Sequence, residues 1–290
     1  MKRLLLVLLS LLILLSSAGC SSHEPVQLAA TTLPVYEFTH RLCDGTELRV
    51  GRLVTESISC LHDYSLQVSQ MQMIEDADCV IISGGGLEDS LGNILTGCDI
   101  IDPSKEMSLL CPEHGHEEPH QGHHHETDPH YWLSPNYAKT MAKNICQGLC
   151  LRYPQHTSIF EENLTALLED LNHLQAYGED ALSKLSKRQL ITFHDGFSYF
   201  AQSFGLTILE SVEEESGSEA SAAEIIHLLD MIEAHSIPAI FIEENGSDAC
   251  AGIIQSEIGI PIYTLDMAIS GNSYFDAMYR NIDTIKEALG

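Results

Sequence analysis

The chain has 290 residues and a formal net charge of −28, with 42 Asp and Glu against 14 Lys and Arg. This acidic balance argues against nucleic-acid binding, which needs clustered Lys and Arg. The length allows two lobes of ordinary domain size behind an N-terminal export segment.

Residues 1–19 are predicted to be a signal peptide. Lys2 and Arg3 precede an apolar run over 4–15, and small residues follow that run. This order of charged, apolar and small residues is typical of secretion signals. The apolar run is too short for a comfortable membrane-spanning helix.

The end of the signal resembles a bacterial lipobox. Cys20 follows Ala-Gly, although Ser17 stands where a leucine is usual. We expect Cys20 to become the lipid-modified N-terminus and residues 20–25 to form a polar tether that anchors the protein to the membrane. The alternative is plain secretion, with Cys20 removed or free.

Short apolar runs alternate with segments of helical length in the mature chain, which predicts the α/β class. Each run fits a buried parallel strand better than a half-exposed one. The runs begin at Val26, Glu47, Asp78 and Cys98, and again at Gln189, Leu206, Ala239 and Ile260. They therefore predict two lobes, each with a roughly four-stranded parallel sheet flanked by helices.

A long helix is predicted between the two sets of strands. Leucines and other apolar residues recur by threes and fours over 155–185. About 30 residues at about 1.5 Å each would span roughly 45 Å as one rigid strut. The predicted domains are an N-terminal lobe at 26–153, a linking helix at 154–186 and a C-terminal lobe at 187–290.

Candidate metal ligands follow strands of both lobes. In open α/β sheets, ligands bind beyond the carboxyl ends of the strands. Strand-end loops carry His62, His130, His194 and Asp266. Three imidazoles and one carboxylate form a tetrahedral set suited to zinc. Taken singly, each histidine could instead be a loop or capping residue, and Asp266 a helix N-cap.

Two carboxylates directly follow candidate ligand histidines. Asp63 and Asp195 could each accept the other ring N–H of the preceding histidine and fix its tautomer. Adjacent side chains on a loop can equally point apart. Both readings stay open at the level of the sequence.

Cysteine gives a less clear prediction. Beyond Cys20 there are eight further cysteines, an even number that permits disulfides in an exported protein. Their spacing matches no paired CxxC metal site. Cys146 and Cys150 lie one helical turn apart, which does not suit a disulfide within a regular helix.

Five successive segments resemble the zinc/manganese substrate-binding proteins of ABC transporters, the ZnuA/TroA-like group. They are TTLPVYEFTHRL, LHDYSLQVSQMQMIEDADCVIISGGGLEDSL, DPHYWLSPNYAKTMAKNI, ITFHDGFSYFAQSFGL and FIEENGSDACAGIIQSEIGIPIYTLD. The resemblance implies two α/β lobes on a long helix with little hinge motion. It implies metal binding by His62, His130, His194 and Asp266, and delivery of zinc by a monomer to an ABC permease outside the cytoplasm.

The chain departs from the family pattern beside several candidate ligands. Ser65-Leu66 replaces a usual Glu-Pro, Ser134 a usual Asp and Met267 a usual Pro. A proline-containing segment of the family is replaced by SEAS from Ser218. None of these changes removes a proposed ligand, although each affects the surrounding loops.

Three alternatives to zinc delivery remain. A manganese-binding member of the family is disfavoured by His194, because manganese members usually carry a glutamate there and manganese prefers oxygen ligands. A surface metal-buffering or adhesin lipoprotein is compatible with the same anchor. A zinc hydrolase could use Glu243 or Glu244 as a base, but four protein ligands leave no open position for water.

A histidine-rich loop at 114–125 precedes His130. Its histidines are His114, His116, His120, His123, His124 and His125. Glycines, a proline and glutamates separate them, so the sequence predicts a solvated loop that binds extra zinc weakly. His130 instead lies between the Asp128-Pro129 turn and a predicted helix, which should preorganise its imidazole.

Deletion of residues 114–125 should therefore remove weak extra zinc sites and leave the tight site nearly intact. His130→Ala should do the reverse, because the loop would still collect metal loosely. Isothermal titration of both variants measures the two classes of site. Loss of tight binding on deletion of the loop would contradict this separation.

Overall fold

The computed structural model describes residues 26–58, 61, 64–111, 127–212, 221–246 and 248–290. The predicted signal peptide and tether with Cys20, the candidate ligand His62 with its neighbour Asp63, and the histidine-rich loop at 114–125 lie outside the described residues. The predictions made for them stay predictions. His130, His194 and Asp266 are all described.

The N-terminal lobe contains a four-stranded parallel sheet. Its strands are β1 (Leu28–Ala30), β2 (Val50–Arg52), β3 (Cys79–Ile81) and β4 (Ile100–Ile101). The spatial order is β2-β1-β3-β4. The chain thus places β2 on one side of β1 and β3 on the other, so the direction of the connections reverses between β1 and β3. Open α/β sheets bind ligands at such a switch point.

The C-terminal lobe repeats this arrangement. Its strands are β5 (Gln189–Thr192), β6 (Thr207–Ser211), β7 (Ile240–Glu243) and β8 (Ile262–Leu265). They are parallel and lie in the order β6-β5-β7-β8, so the switch point falls between β5 and β7. The predicted class of two α/β lobes is confirmed, and every strand lies within its predicted run.

Helices flank both sheets. They are α1 (Leu33–Leu42), α2 (Val68–Asp76), α3 (Gly92–Leu95), α4 (Pro135–Arg152), α5 (Thr157–Leu182), α6 (Ser198–Phe204), α7 (Ala222–His235), α8 (Ala249–Ile258) and α9 (Tyr274–Leu289). Ser221 caps α7 in a reciprocal capping box with Glu224. Within the described part of the chain, no helix is long and apolar enough to cross a membrane.

The long helix α5 joins the lobes. Its 26 residues correspond to about 39 Å at about 1.5 Å each. It begins later than predicted, because Pro154–His156 form a separate 3-10 turn. The helix packs against α1 and α4 of the N-terminal half and against α9 of the C-terminal lobe. Its apolar stripe, including Leu167 and Leu171, is buried in a core that both lobes share.

Hydrogen bonds also tie the lobes together between β8 and α9. The indole of Trp132 donates to the carbonyl oxygen of Met267 over 2.8 Å, and the hydroxyl of Tyr274 donates to the carbonyl oxygen of Trp132 over 2.7 Å. The backbone N–H of Leu33 donates to the carbonyl oxygen of Ile269 over 3.0 Å. Buried bonds of this kind hold the end of β8 in a fixed position relative to the N-terminal lobe.

The described cysteines are free thiols. Cys146 and Cys150 lie one turn apart on α4 with their sulfurs 4.0 Å apart, as their spacing predicts. Burial raises the pKa of Cys43 and of Cys146 to about 12. These thiols therefore behave as small apolar side chains.

Candidate metal centre

His130 is held by a carboxylate two residues before it. It begins the 3-10 turn Tyr131–Leu133 and is only 3% exposed. The Oδ1 atom of Asp128 accepts the backbone N–H of His130 over 2.9 Å and lies 2.9 Å from its Nδ1. One oxygen therefore fixes both the backbone turn and the orientation of the ring.

The turn that carries His130 is anchored to the end of β3. The hydroxyl of Tyr131 donates to the carbonyl oxygen of Ser83 over 2.5 Å. The buried carboxylate of Glu88 accepts the hydroxyl of Thr31 over 2.6 Å and the backbone N–H groups of Ser83 and Gly84 over 2.7 and 2.9 Å. Burial raises the pKa of Glu88 to about 7. These bonds make the switch point of the first sheet a rigid support for the turn.

His194 belongs to the other lobe and also has a carboxylate beside its Nδ1. It follows β5 and is 2% exposed. Its Nδ1 lies 3.3 Å from the Oε2 atom of Glu243, at the end of the adjacent strand β7. Gly196 leaves room for the ring, because a Cβ atom there would lie 2.8 Å from Cδ2 of His194 and 3.1 Å from Nδ1 of His130.

The two imidazoles face each other. Their Nε2 atoms are 3.5 Å apart, and the ring planes meet at 83°. A carboxylate beside Nδ1 favours the tautomer in which that nitrogen carries the proton. A neutral imidazole of that tautomer has its lone pair on Nε2. Two such lone pairs pointing at each other are stabilised by a cation between them.

Asp266 is fixed at the end of β8 by the helix α9. Its backbone N–H donates to Oδ1 of Asn281 over 2.8 Å, and Nδ2 of Asn281 donates back to its carbonyl oxygen over 2.7 Å. Its carboxylate oxygens accept the backbone N–H of Ala268 over 2.8 Å and Nη2 of Arg280 over 2.7 Å. Burial and the negative charge of Asp266 raise the pKa of neighbouring Glu244, while Arg280 opposes this shift.

The structure brings His130 and His194 together but does not complete a metal site from the described residues alone. Within the described part of the chain, no three His, Cys, Asp or Glu side chains are grouped closely enough to hold a metal ion. Asp266 is held by Arg280 instead, and His62 lies outside the described residues. The four-ligand set therefore stays a prediction.

The sequence analysis named Asp128 in a turn and Glu243 as a possible base, but it did not predict that either lies against a histidine ring. Glu243 lies at Nδ1 of His194, and the Oδ1 atom of Asp195 lies 3.4 Å from the hydroxyl of Ser211, so the role left open for Asp195 stays a prediction. The contact of Asp128 with His130 could have been predicted, because an Asp two residues before another residue often accepts its backbone N–H in a turn. The contact of Glu243 with His194 could not have been predicted, because it depends on the order of the strands in the sheet.

Residues 28–288 match the family described as the periplasmic component A of the zinc-uptake complex, ZnuA. The match covers nearly the whole described chain. The chain belongs to this family. The family consists of extracytoplasmic metal-binding components of uptake systems and is not a family of enzymes.

Individual relatives agree with this assignment. The chain is 30% identical to the zinc-binding lipoprotein AdcA of Streptococcus pneumoniae, over 99% of this chain and 61% of that protein. A crystal structure of ZnuA superposes with a TM-score of 0.79 at 25% identity, over 91% of this chain and 100% of that one. Zn(II)-bound AdcA from S. pneumoniae superposes with a TM-score of 0.75 at 28% identity, over 91% and 58% of the chains. This chain thus spans about three fifths of the AdcA proteins that it matches.

Glu243→Gln should lower the affinity of the tight metal site by about 10- to 100-fold, because the carboxylate orients the ring of His194 and raises its basicity. Asp195→Asn is the matched control, and we expect it to change affinity by less than about threefold. Competition with a chelator gives both affinities, and circular dichroism verifies the fold. A larger loss in Asp195→Asn than in Glu243→Gln would assign the orienting role to Asp195.

Proposed function

We propose that this protein is a high-affinity zinc-binding solute-binding protein that delivers zinc to an ABC permease for uptake. The observation that carries the proposal is the separation of 3.5 Å between Nε2 of His130 and Nε2 of His194. Two nitrogens bound at about 2.0–2.1 Å to a tetrahedral zinc ion are about 3.3–3.4 Å apart. The buried pair is therefore arranged for zinc before the ion arrives.

The proposed ligands are His62, His130, His194 and Asp266. The two described histidines come from different lobes, so an ion between them contacts both halves of the molecule. Asp266 directly follows β8, next to the segment that is hydrogen-bonded to the N-terminal lobe. The set is rich in imidazole, which favours zinc over manganese. The relatives named as zinc-binding or Zn(II)-bound support the same cargo.

Glu243 is better explained as an orienting group than as the base of a hydrolase. Its carboxylate lies against Nδ1 of His194 and is 4% exposed. A general base must reach a metal-bound water, whereas this carboxylate lies on the far side of the ring from Nε2. The proposed activity is therefore to bind the ion and transfer it to the permease without catalysing a reaction.

The proposal extends to the anchor and the domain organisation. Lipid modification of Cys20 and a tether over 20–25 would hold a monomer near its permease at the outer face of the membrane, and a relative named as a lipoprotein supports this.

The histidines at 114–125 would serve as an auxiliary weak metal loop. The division into lobes at 26–153 and 187–290 around a link at 154–186 is supported by the helix α5, which falls within the link.

The mature protein should bind one zinc ion tightly and manganese at least about 100-fold more weakly, because the described ligand pair is imidazole. His194→Ala should abolish tight zinc binding. His156→Ala is the control, since His156 contacts Glu47 at the surface and should leave zinc affinity unchanged. Chelator competition at neutral pH measures each affinity. Equal affinities for manganese and zinc would refute the assignment of His194 as a ligand.

A further inference from the structure

The carboxylate of Asp266 already has a cationic partner. Arg280 lies two turns into α9, and its Nη2 is 2.7 Å from Oδ2 of Asp266. The Asp266 side chain is 17% exposed, whereas that of Arg280 is 61% exposed. The guanidinium therefore reaches Asp266 from the solvent side and can leave without disturbing the core.

The two oxygens of Asp266 are held differently. Oδ1 accepts the backbone N–H of Ala268, which is part of the turn after β8. The backbone of Asp266 is clamped on both sides by the buried Asn281. Oδ2 is held by the exposed Arg280, so it is the oxygen that can be released at the lowest cost.

A second carboxylate lies within electrostatic range of the same guanidinium. Glu244 interacts with both Asp266 and Arg280. When Arg280 leaves Asp266, Glu244 can therefore continue to stabilise its positive charge. Arg280 also offsets the repulsion between these two carboxylates when the metal is absent.

We infer that Arg280 is an internal competitor for the cargo ion, occupying the oxygen of Asp266 that zinc must take over. The inference rests on the proposed function, because it assumes that Asp266 is a zinc ligand. Capture would exchange an Arg–carboxylate pair for a metal–carboxylate bond. When the ion leaves, the pair re-forms, so Arg280 would weaken retention and assist release to the permease.

Arg280→Gln should raise zinc affinity about two- to fivefold, the range expected for losing one partly exposed ion pair. The gain should shrink as ionic strength rises, because salt screens the pair in the wild type. Arg41→Gln is the matched control: Arg41 pairs with Asp170 at 2.5 Å on another part of the surface and should leave affinity unchanged. Chelator competition with zinc on the full mature chain measures all of these affinities.

A double-mutant cycle distinguishes competition between Arg280 and zinc for Asp266 from a general electrostatic repulsion of zinc by Arg280. In an Asp266→Asn background, the Arg280→Gln change should no longer raise zinc affinity. An equal gain in that background would overturn the inference, as would weaker binding by Arg280→Gln, which would make Arg280 a support for Asp266. An unchanged affinity would also overturn it. Failure of the wild type to bind zinc tightly would refute the proposed function itself.

Discussion

The facing Nε2 atoms of the buried side chains His130 and His194, 3.5 Å apart, are the constraint on which the rest of the structure depends. Two imidazoles that both carry the proton on Nδ1 would turn their Nε2 lone pairs toward each other, an arrangement that a cation between them stabilises. Asp128 lies 2.9 Å from Nδ1 of His130 and Glu243 lies 3.3 Å from Nδ1 of His194, so each ring turns its Nε2 toward the other. This pair is therefore suited to sharing a cation.

This arrangement requires two lobes that hold their relative position. Each imidazole comes from a different sheet, so a shift of one lobe by an ångström would change the distance between the nitrogens. The helix α5 packs on helices of both lobes, and Trp132 joins them through buried hydrogen bonds to Met267 and Tyr274. The resulting continuous core explains how a chain with two sheets can present one preorganised site.

Much of the fold could be predicted from the sequence, because short apolar runs and helical periodicity are local signals. His130 and His194 could be predicted as candidate ligands because each lies in a segment that follows a predicted strand. The roles of Glu243 and Arg280 could not, since they depend on the order β5-β7 and on how α9 packs against β8. Whether Asp195 also acts on His194 stays open, and its Oδ1 atom lies 3.4 Å from the hydroxyl of Ser211.

X-ray absorption at the zinc edge tests the central claim most directly, namely that His130 and His194 bind the same ion. The mature protein lacking residues 114–125 should be measured with one equivalent of zinc, so that the histidine-rich loop contributes nothing. The account predicts nitrogen and oxygen neighbours at about 2.0–2.1 Å and outer-shell scattering from at least two imidazoles. Sulfur neighbours at about 2.3 Å, or scattering from fewer than two imidazoles, would contradict it.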